Sequence, residues 1–519
     1  MRCEKINLTE TGVFSNLFLK YMQQDPSLDT FINLPAGLKS FQKAIKQRKF
    51  DPAKREVLNK VLIHQYSGFS TTRAVEKNID RLKKSNAYTI TTGHQLNLFT
   101  GPLYFIYKIL TVINTCELLN KQYPDQNFIP VYWMASEDHD LEEIRSFRLF
   151  GKKYSWDTDQ AGPVGRMDPS SIKKILEDLP EKTDIFKDAY LNHNTLSEAV
   201  RSYVNTLFGG YGLIVIDADT IPLKMLFKDF IKDDLVNHHA NDLVESTSSR
   251  LADLGYKTQV YPRAINLFYM GDHFRKRLIK EGGSYQVIES ALKFTEEDIL
   301  IEVNMNPQNF SPNVILRPLY QEVILPNIAY IGGPAEIAYW LQLKDMFDHF
   351  KVPFPILLPR NFALIITKGI NRKLKKLMLH AEDMFKPVNE LKNKYIEEHT
   401  SYTISLESEE KIMDELFESV RNKSIAVDQS LEGFVLAEKA KIMKALDNIK
   451  KRMKKSEEQK QTVELNQIEN LKEKLFPEGN LQERSDNFLN FAFNNPHFIE
   501  DIKKFLDPFD FRFKIIIED

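Results

Sequence analysis

Glu137, Asp138, His139 and Asp140 stand side by side just after an apolar run, Phe128 to Met134. Three carboxyl groups beside one imidazole can hold a divalent ion, exchange protons as acid and base, or bind a substrate ammonium. A helix start also favours acids, but that accounts for one or two of them better than for three and a histidine. A second cluster runs from Thr92 through Gly93, His94 and Gln95 to Thr100, Gly101, Pro102 and Tyr104. Glycine lets a ligand approach the backbone, and a helix start offers free N–H groups to an anion. His94 and Gln95 could then stabilise a phosphate. An ordinary β–α turn with a polar rim would use the same residues, and the segment is neither a P-loop nor a GxGxxG sequence. A third cluster, Gly332, Gly333, Pro334 and Glu336 with Tyr339 and Trp340, is another strand-to-helix turn. Its alternative is a helix cap with aromatic core residues. Finally, Ser311 to Pro318 carries Asn313 and sets Arg317 among apolar neighbours. A partly buried arginine needs a carboxylate, either the protein's own or a ligand's.

The elements that would position these groups alternate. Residues 1 to about 85 read as mostly helical. Ala87 to Thr92 is β-rich, about Leu103 to Lys121 helical, and Phe128 to Met134 a buried strand. Ser197 to Leu207 reads as helix, Gly212 to Asp217 as strand, and 223 to 254 as one long helical stretch. Thr258 to Met270 looks like strand or hairpin, and Val314 to Leu325 mixes both signals. Asn327 to Ile331 is a strand, Ala335 to Phe350 a helix, and Pro353 to Leu358 a strand again. This alternation argues for a mostly parallel sheet with helices on both faces. In such sheets ligands bind beyond the carboxyl ends of the strands, so the loops near 93, 138 and 333 should meet in one pocket.

From about residue 370 glycine nearly vanishes and Lys, Glu, Leu and Ile dominate. Ile442, Leu446, Ile449 and Met453 have the spacing of a coiled-coil seam, and Ile468, Leu471 and Leu475 repeat it. If the last residues rejoin the body, an antiparallel arm is the simplest path. The expected division is a core over 1–370 with insertions near 151–210 and 255–315, an arm over 371–480, and a returning segment over 481–519.

The 519 residues are too many for one hydrophobic core, and the formal net charge of −2 gives no general attraction to nucleic acid or an anionic membrane. The basic run Lys450 to Lys455 falls around the seam residue Met453 and reads as a solvated helix face. Two cysteines, Cys3 and Cys116, cannot form a multi-cysteine zinc site and fit a reducing compartment. His193, His238 and His239 lack metal spacing, and no residue is assigned to a metal. No secretory signal or membrane span is read, so the cytoplasm is the expected location.

Four segments together resemble the bacillithiol biosynthesis cysteine-adding enzymes: Thr92 to Tyr104, Pro130 to Asp140, Leu316 to Gln321, and Ile331 to Tyr339. The resemblance covers nearly the whole chain. His94 stands where the family is expected to carry glutamine. Both side chains can donate a hydrogen bond, which argues against proton transfer at this position. The resemblance implies an α/β fold with a Rossmann-like core, connective insertions and a coiled-coil arm that forms a homodimer. It implies a ligase joining the carboxyl of L-cysteine to the amine of glucosaminyl malate, with ATP and Mg²⁺ for carboxyl activation. The expected catalytic residues are His94, Gln95, Asp138 and His139, with His139 taking the amine proton. Gly93, Thr100, Gly101, Gly332 and Gly333 are expected at the nucleotide. Glu137, Asp140, Asn313, Arg317, Glu336 and Tyr339 are expected at the other substrates, Arg317 on a malate carboxylate. A nucleotide-dependent ligase or nucleotidyltransferase for another amino acid, and a non-catalytic coiled-coil scaffold, remain as alternatives.

Overall fold

The computed structural model describes residues 1–179, 183–399 and 405–518. The chain forms two compact units, one of Cys3–Leu364 with Gln482–Ile516 and the other centred on Ile365–Leu481.

The first unit is built on five strands: β1 (Ala87–His94), β2 (Asn127–Met134), β3 (Ile214–Asp217), β4 (Asn327–Gly332) and β5 (Ile356–Pro359). All four pairings are parallel and the spatial order is β5-β4-β1-β2-β3. This is a Rossmann-like order, whose crevice opens where neighbouring connections leave in opposite directions, here between β1 and β4. All eight residues of β1 are buried, as expected for a parallel strand covered on both faces. Three helices bear on the site: α1 (Tyr104–Gln122), α2 (Leu316–Ile324) and α3 (Pro334–Leu341).

A buried polar knot sets the β1–β4 register. Asn327 Oδ1 accepts from the Thr89 and Thr91 hydroxyls at 3.2 and 2.8 Å, and its Nδ2 donates to Glu322 Oε1 at 2.7 Å. Alternate threonines thus point at one asparagine, and a one-residue slip would turn them to the other face of the sheet.

Several elements differ from the sequence reading. The stretch over 223–254 is three helices, Ile221–Met225, Lys228–Val236 and His239–Asp253. The last break falls at His238, which has a positive φ of 59°. The helix expected from Ala335 to Phe350 is broken between Leu341 and Lys344. Only Leu267–Met270 of the 258–270 segment is a strand. It belongs to a five-stranded antiparallel sheet with Arg275–Glu281, Ser284–Val287, Lys293–Phe294 and Phe310–Pro312. The mixed signals over 314–325 resolve into α2, which tolerates Pro318 because the first turn has no donor to lose.

The second unit is an antiparallel arm formed within one chain. Val388–His399 packs on Thr462–Leu475, and Glu407–Val427 packs on Glu432–Lys460. At its base the seam is sealed: Leu391, Ile396, Ile468, Leu471 and Leu475 are all buried. Further out it is half open. Ile449 is 50% exposed, and Glu407–Val427 has no buried residue. Ion pairs take over there, from Arg421 to Glu432 and from Lys439 to Asp414 at 2.5 and 3.0 Å. Among the described residues no helix is long and apolar enough to cross a membrane.

Glu322 supplies a stability test. Burial pushes its carboxyl up to about 7. The folded chain therefore holds a proton that the unfolded chain releases. This contribution is fully present below the ordinary glutamate range and is lost as pH rises through about 7. Unfolding free energy in urea should fall between about pH 5 and 7, and Glu322→Gln should reduce that slope. Asp234 and Asp486 are also raised to about 7, so the slope shrinks rather than disappears. An unchanged slope in Glu322→Gln would remove Glu322 from this account.

Candidate active site

Parallel strands deliver their carboxyl ends to one side of the sheet. On that side Gly93 at the end of β1, Ala135 just after β2 and Gly333 just after β4 line one lobe of a cleft, about 500 Å³ in volume. A second lobe of about 660 Å³ lies over β2 and the inserted antiparallel sheet, and is lined by Glu137, Asp138, His139 and Asp140. Trp133, Ala135, Glu143 and Arg317 line both lobes. The loops near 93 and 333 meet in the first lobe, whereas Glu137 to Asp140 line the second, and the loop near 138 reaches the first lobe only through its flanking residues Ala135 and Glu143.

The first lobe is organised by a buried ion pair. Lys108 of α1 reaches Glu336 of α3 at 2.6 Å and donates to the Gly93 carbonyl at 2.8 Å. Glu336 also accepts from Tyr330 Oη at 2.6 Å and from the Gly333 amide at 2.8 Å. Burial alone would raise the Glu336 carboxyl, but Lys108, Tyr330 and the Gly333 amide hold it below the ordinary range. Glu336 therefore caps its own helix and fixes Lys108 and Tyr330, so its carboxylate is already committed. A Cβ on Gly93 would lie 3.3 Å from Tyr330 Oη and 3.6 Å from an Arg317 Nη. This glycine admits two protein side chains.

Arg317, on α2, lies near the rings of Trp133 and Tyr330, its guanidinium carbon 5.8 and 5.7 Å from their centres. One Nη donates to Gln321 at 3.1 Å; the other is fully buried, and the Tyr339 hydroxyl interacts with the guanidinium. Burial opposes its charge, but Tyr339, Tyr330 and Glu336 around it raise its pKa overall. Tyr339 shares this lobe.

The phosphate cradle expected from the sequence is not built. His94 Nδ1 lies 2.9 Å from the Gln95 carbonyl and so must donate to it. Its Nε2 is then an acceptor, and burial with the Lys108 charge lowers its pKa to about 3. A neutral imidazole without a free donor repels a phosphate oxygen. The Gln95 amide nitrogen is shared between Asp138 at 2.9 Å and Glu143, leaving only its oxygen free. Thr100 and Gly101 line neither lobe. Phe99, Thr100 and Gly101 have successive positive φ values of 51°, 71° and 62°, and Asn487 Nδ2 holds the Phe99 and Gly101 carbonyls at 2.7 and 2.8 Å. Gly332 is also outside the lining, its carbonyl taken by the Arg360 amide at 2.9 Å. Gly333 lines the lobe with its amide already used.

The acidic cluster divides by role. Glu137 turns inward to the buried Lys224 and accepts from Ser311 Oγ at 3.0 Å. Asp140 caps a short helix through the Glu143 amide. Asp138 accepts from Gln95 and from the His139 amide, the latter at 2.8 Å, and lies 3.7 Å from Arg275. Burial works against its charge, but the His139 side chain, then Gln95, Arg275 and the His139 amide, hold its carboxyl well below the ordinary range. The expected acids thus do not converge on an ion, and among the described residues no group of three or more His, Cys, Asp or Glu side chains could hold one. His139 is corrected as well. Arg275 donates to its Nδ1 at 2.9 Å, so a neutral His139 carries its proton on Nε2 and has no free lone pair for an amine proton. Asn313 lines the second lobe, but its oxygen caps the start of α2 and its nitrogen binds Asn266.

The sequence reading missed Lys108, Glu143, Arg275, Tyr330, Arg360 and Arg484. Lys108 had left a signal, as a lone lysine inside an otherwise apolar helical run.

The strand order and the cleft at its switch point define a Rossmann-like α/β protein with a two-lobed site for small, charged ligands. Comparison narrows this. Residues 1–361 match Bacillithiol biosynthesis BshC, N-terminal Rossmann-like domain, and residues 363–518 match Bacillithiol biosynthesis BshC, C-terminal coiled-coil domain. The chain is similar to three proteins named "Putative cysteine ligase BshC". One, from Flavobacterium psychrophilum, is 41% identical over 94% of each chain. Another, from Cytophaga hutchinsonii, is 39% identical over 99% of this chain and 98% of the relative. A third, from Staphylococcus carnosus, is 30% identical over 95% of each. The chain belongs to the BshC family of bacillithiol biosynthesis.

Lys108→Met leaves Glu336 buried without its cation, and should cost about 3–5 kcal/mol in urea unfolding. Lys108→Met combined with Glu336→Gln should cost less than the two single changes added together. Strict additivity would mean that the pair does not hold this edge.

Proposed function

We propose that this protein joins the carboxyl of L-cysteine to the amine of glucosaminyl malate, the last step of bacillithiol synthesis. One observation carries the reading: a cation-bearing lobe and an acid-bearing lobe lie side by side, with Trp133, Ala135, Glu143 and Arg317 lining both. Both substrates carry an amine and at least one carboxylate, and such a cleft can hold the two ends of each. Arg317 suits a malate carboxylate, because a fixed guanidinium matches its planar fork. Asp138, Asp140 and Glu143 suit an ammonium or the sugar hydroxyls. Family membership supports the same reaction, since relatives are named for cysteine ligation.

A carboxylate at neutral pH does not acylate an amine unaided, so a co-substrate has to activate it. We take ATP with Mg²⁺ as that co-substrate. His94, Gln95, Thr100, Gly101 and Gly332 do not suit its phosphates, for the reasons above, and no step is assigned through them. The cytoplasm is the proposed location, in keeping with two free cysteines. Homodimerisation through the arm is also proposed. Ile412, Leu416 and Val420 recur every four residues and are 63%, 52% and 40% exposed, an apolar stripe suited to a second copy.

Purified protein given cysteine, glucosaminyl malate and ATP should yield bacillithiol by mass spectrometry, and no product should form when ATP is omitted. Asp138→Ala and Arg317→Ala should each lower kcat/KM by roughly tenfold or more, as expected for lost charge-assisted hydrogen bonds. Product formation with serine and not with cysteine would move the reading to another amino acid. For the arm, Leu416→Glu should convert a dimer to a monomer in light scattering; a monomeric parent protein would end that proposal.

A further inference from the structure

Four cations line the first lobe, and three of them are engaged by the protein. Lys108 is paired with Glu336. Arg360 binds Glu483 at 2.5 Å and the Asn361 carbonyl at 3.0 Å. Arg317 uses one Nη on Gln321. Arg484 is the fourth. It is exposed, and has no hydrogen bond or ion pair with any described residue.

Its backbone is the opposite of free. Arg484 sits in the short turn Gln482–Ser485, where Gln482 is 3% and Glu483 0% exposed. Glu483 accepts from both Arg360 and the Ala363 amide. Two residues on, the Asp486 carbonyl accepts from the Leu103 amide at 2.7 Å, and Asn487 clamps the strained Phe99–Gly101 loop. Burying the Arg360–Glu483 pair carries a desolvation cost, and the pair fixes a turn of only four residues. That turn presents one uncommitted guanidinium to a lobe that Arg317 also lines.

We propose that Arg484 and Arg317 form an oxyanion subsite, binding a carboxylate or phosphoryl group of a substrate. The fixed backbone holds the base of the Arg484 side chain at the lobe, and its planar fork matches a pair of carboxylate or phosphoryl oxygens, its rotamers being ordered on binding. This inference rests on the cleft being a ligand site, not on which ligation it performs.

The test uses the full chain and two probes, L-malate and inorganic pyrophosphate, titrated by calorimetry at low ionic strength. Arg484→Ala should weaken at least one probe about tenfold, the loss expected of a charge-assisted hydrogen bond, and Arg484→Lys should recover part of it. A loss confined to malate makes the subsite a carboxylate site; a loss confined to pyrophosphate makes it a phosphoryl site. The thermal midpoint should not change, since Arg484 holds nothing else. The proposal is overturned if neither probe binds the parent protein, if Arg484→Ala binds both probes as the parent does, or if Lys49→Ala, an exposed cation outside the cleft, weakens them equally. A parent protein that forms no bacillithiol but binds an anion through Arg484 would refute the ligase reading and leave the subsite standing.

Discussion

The Lys108–Glu336 ion pair is the constraint on which the first lobe depends. It ties α1, the end of β1 and the start of α3 into one unit at the switch point of the sheet. A lone lysine in that apolar helix would be costly, and a lone glutamate at that helix start would leave buried charge facing Arg317. Together they satisfy the Gly93 carbonyl, the Gly333 amide and the Tyr330 hydroxyl. The helix N-terminus that would otherwise attract a ligand anion is therefore filled by the protein's own carboxylate.

The second lobe depends on the inserted antiparallel sheet in a comparable way. Arg275 on its second strand reaches His139 and Asp138 and packs 3.9 Å from the Phe268 ring centre. Lys224 holds Glu137 from below. Of the residues from Glu137 to Asp140, Glu137 and His139 are engaged by Lys224 and Arg275, and Asp138 and Asp140 line the cleft, Asp140 also capping a short helix. Gln95 bridges the lobes by donating to both Asp138 and Glu143. The end of β1 is thereby linked to the acids after β2.

The layout was legible where burial writes a pattern. The β-rich run at Ala87, the apolar run at Phe128 and the glycine turn at Gly332 each mark the end of a parallel strand, so their convergence followed from the fold. Individual roles were not legible, because they turn on which partner each polar atom has already taken. The spelling of His94 does not reveal that its Nδ1 faces a carbonyl, nor that of His139 that Arg275 occupies its lone pair. Gly101 looked like a ligand contact, yet its added Cβ would lie 2.5 Å from that of Asn97, so the glycine serves the loop itself. Arg484 and Asn487 are separated from the cleft residues by the whole arm, and no local pattern connects them.

That separation has a physical consequence. The Phe99–Gly101 loop carries two non-glycine residues at positive φ, a conformation that persists only when surrounding contacts over-determine it. Those contacts come partly from Tyr190, whose hydroxyl accepts from the Phe99 amide at 2.9 Å, and partly from Asn487, near the end of the chain. The loop ahead of α1 thus takes hydrogen bonds from both parts of the chain, while Lys108 itself is fixed by Glu336 and the Gly93 carbonyl. The strands of the Rossmann-like sheet all lie between residues 87 and 359, but the cleft at its edge is completed by Arg484, from the segment that returns after the arm.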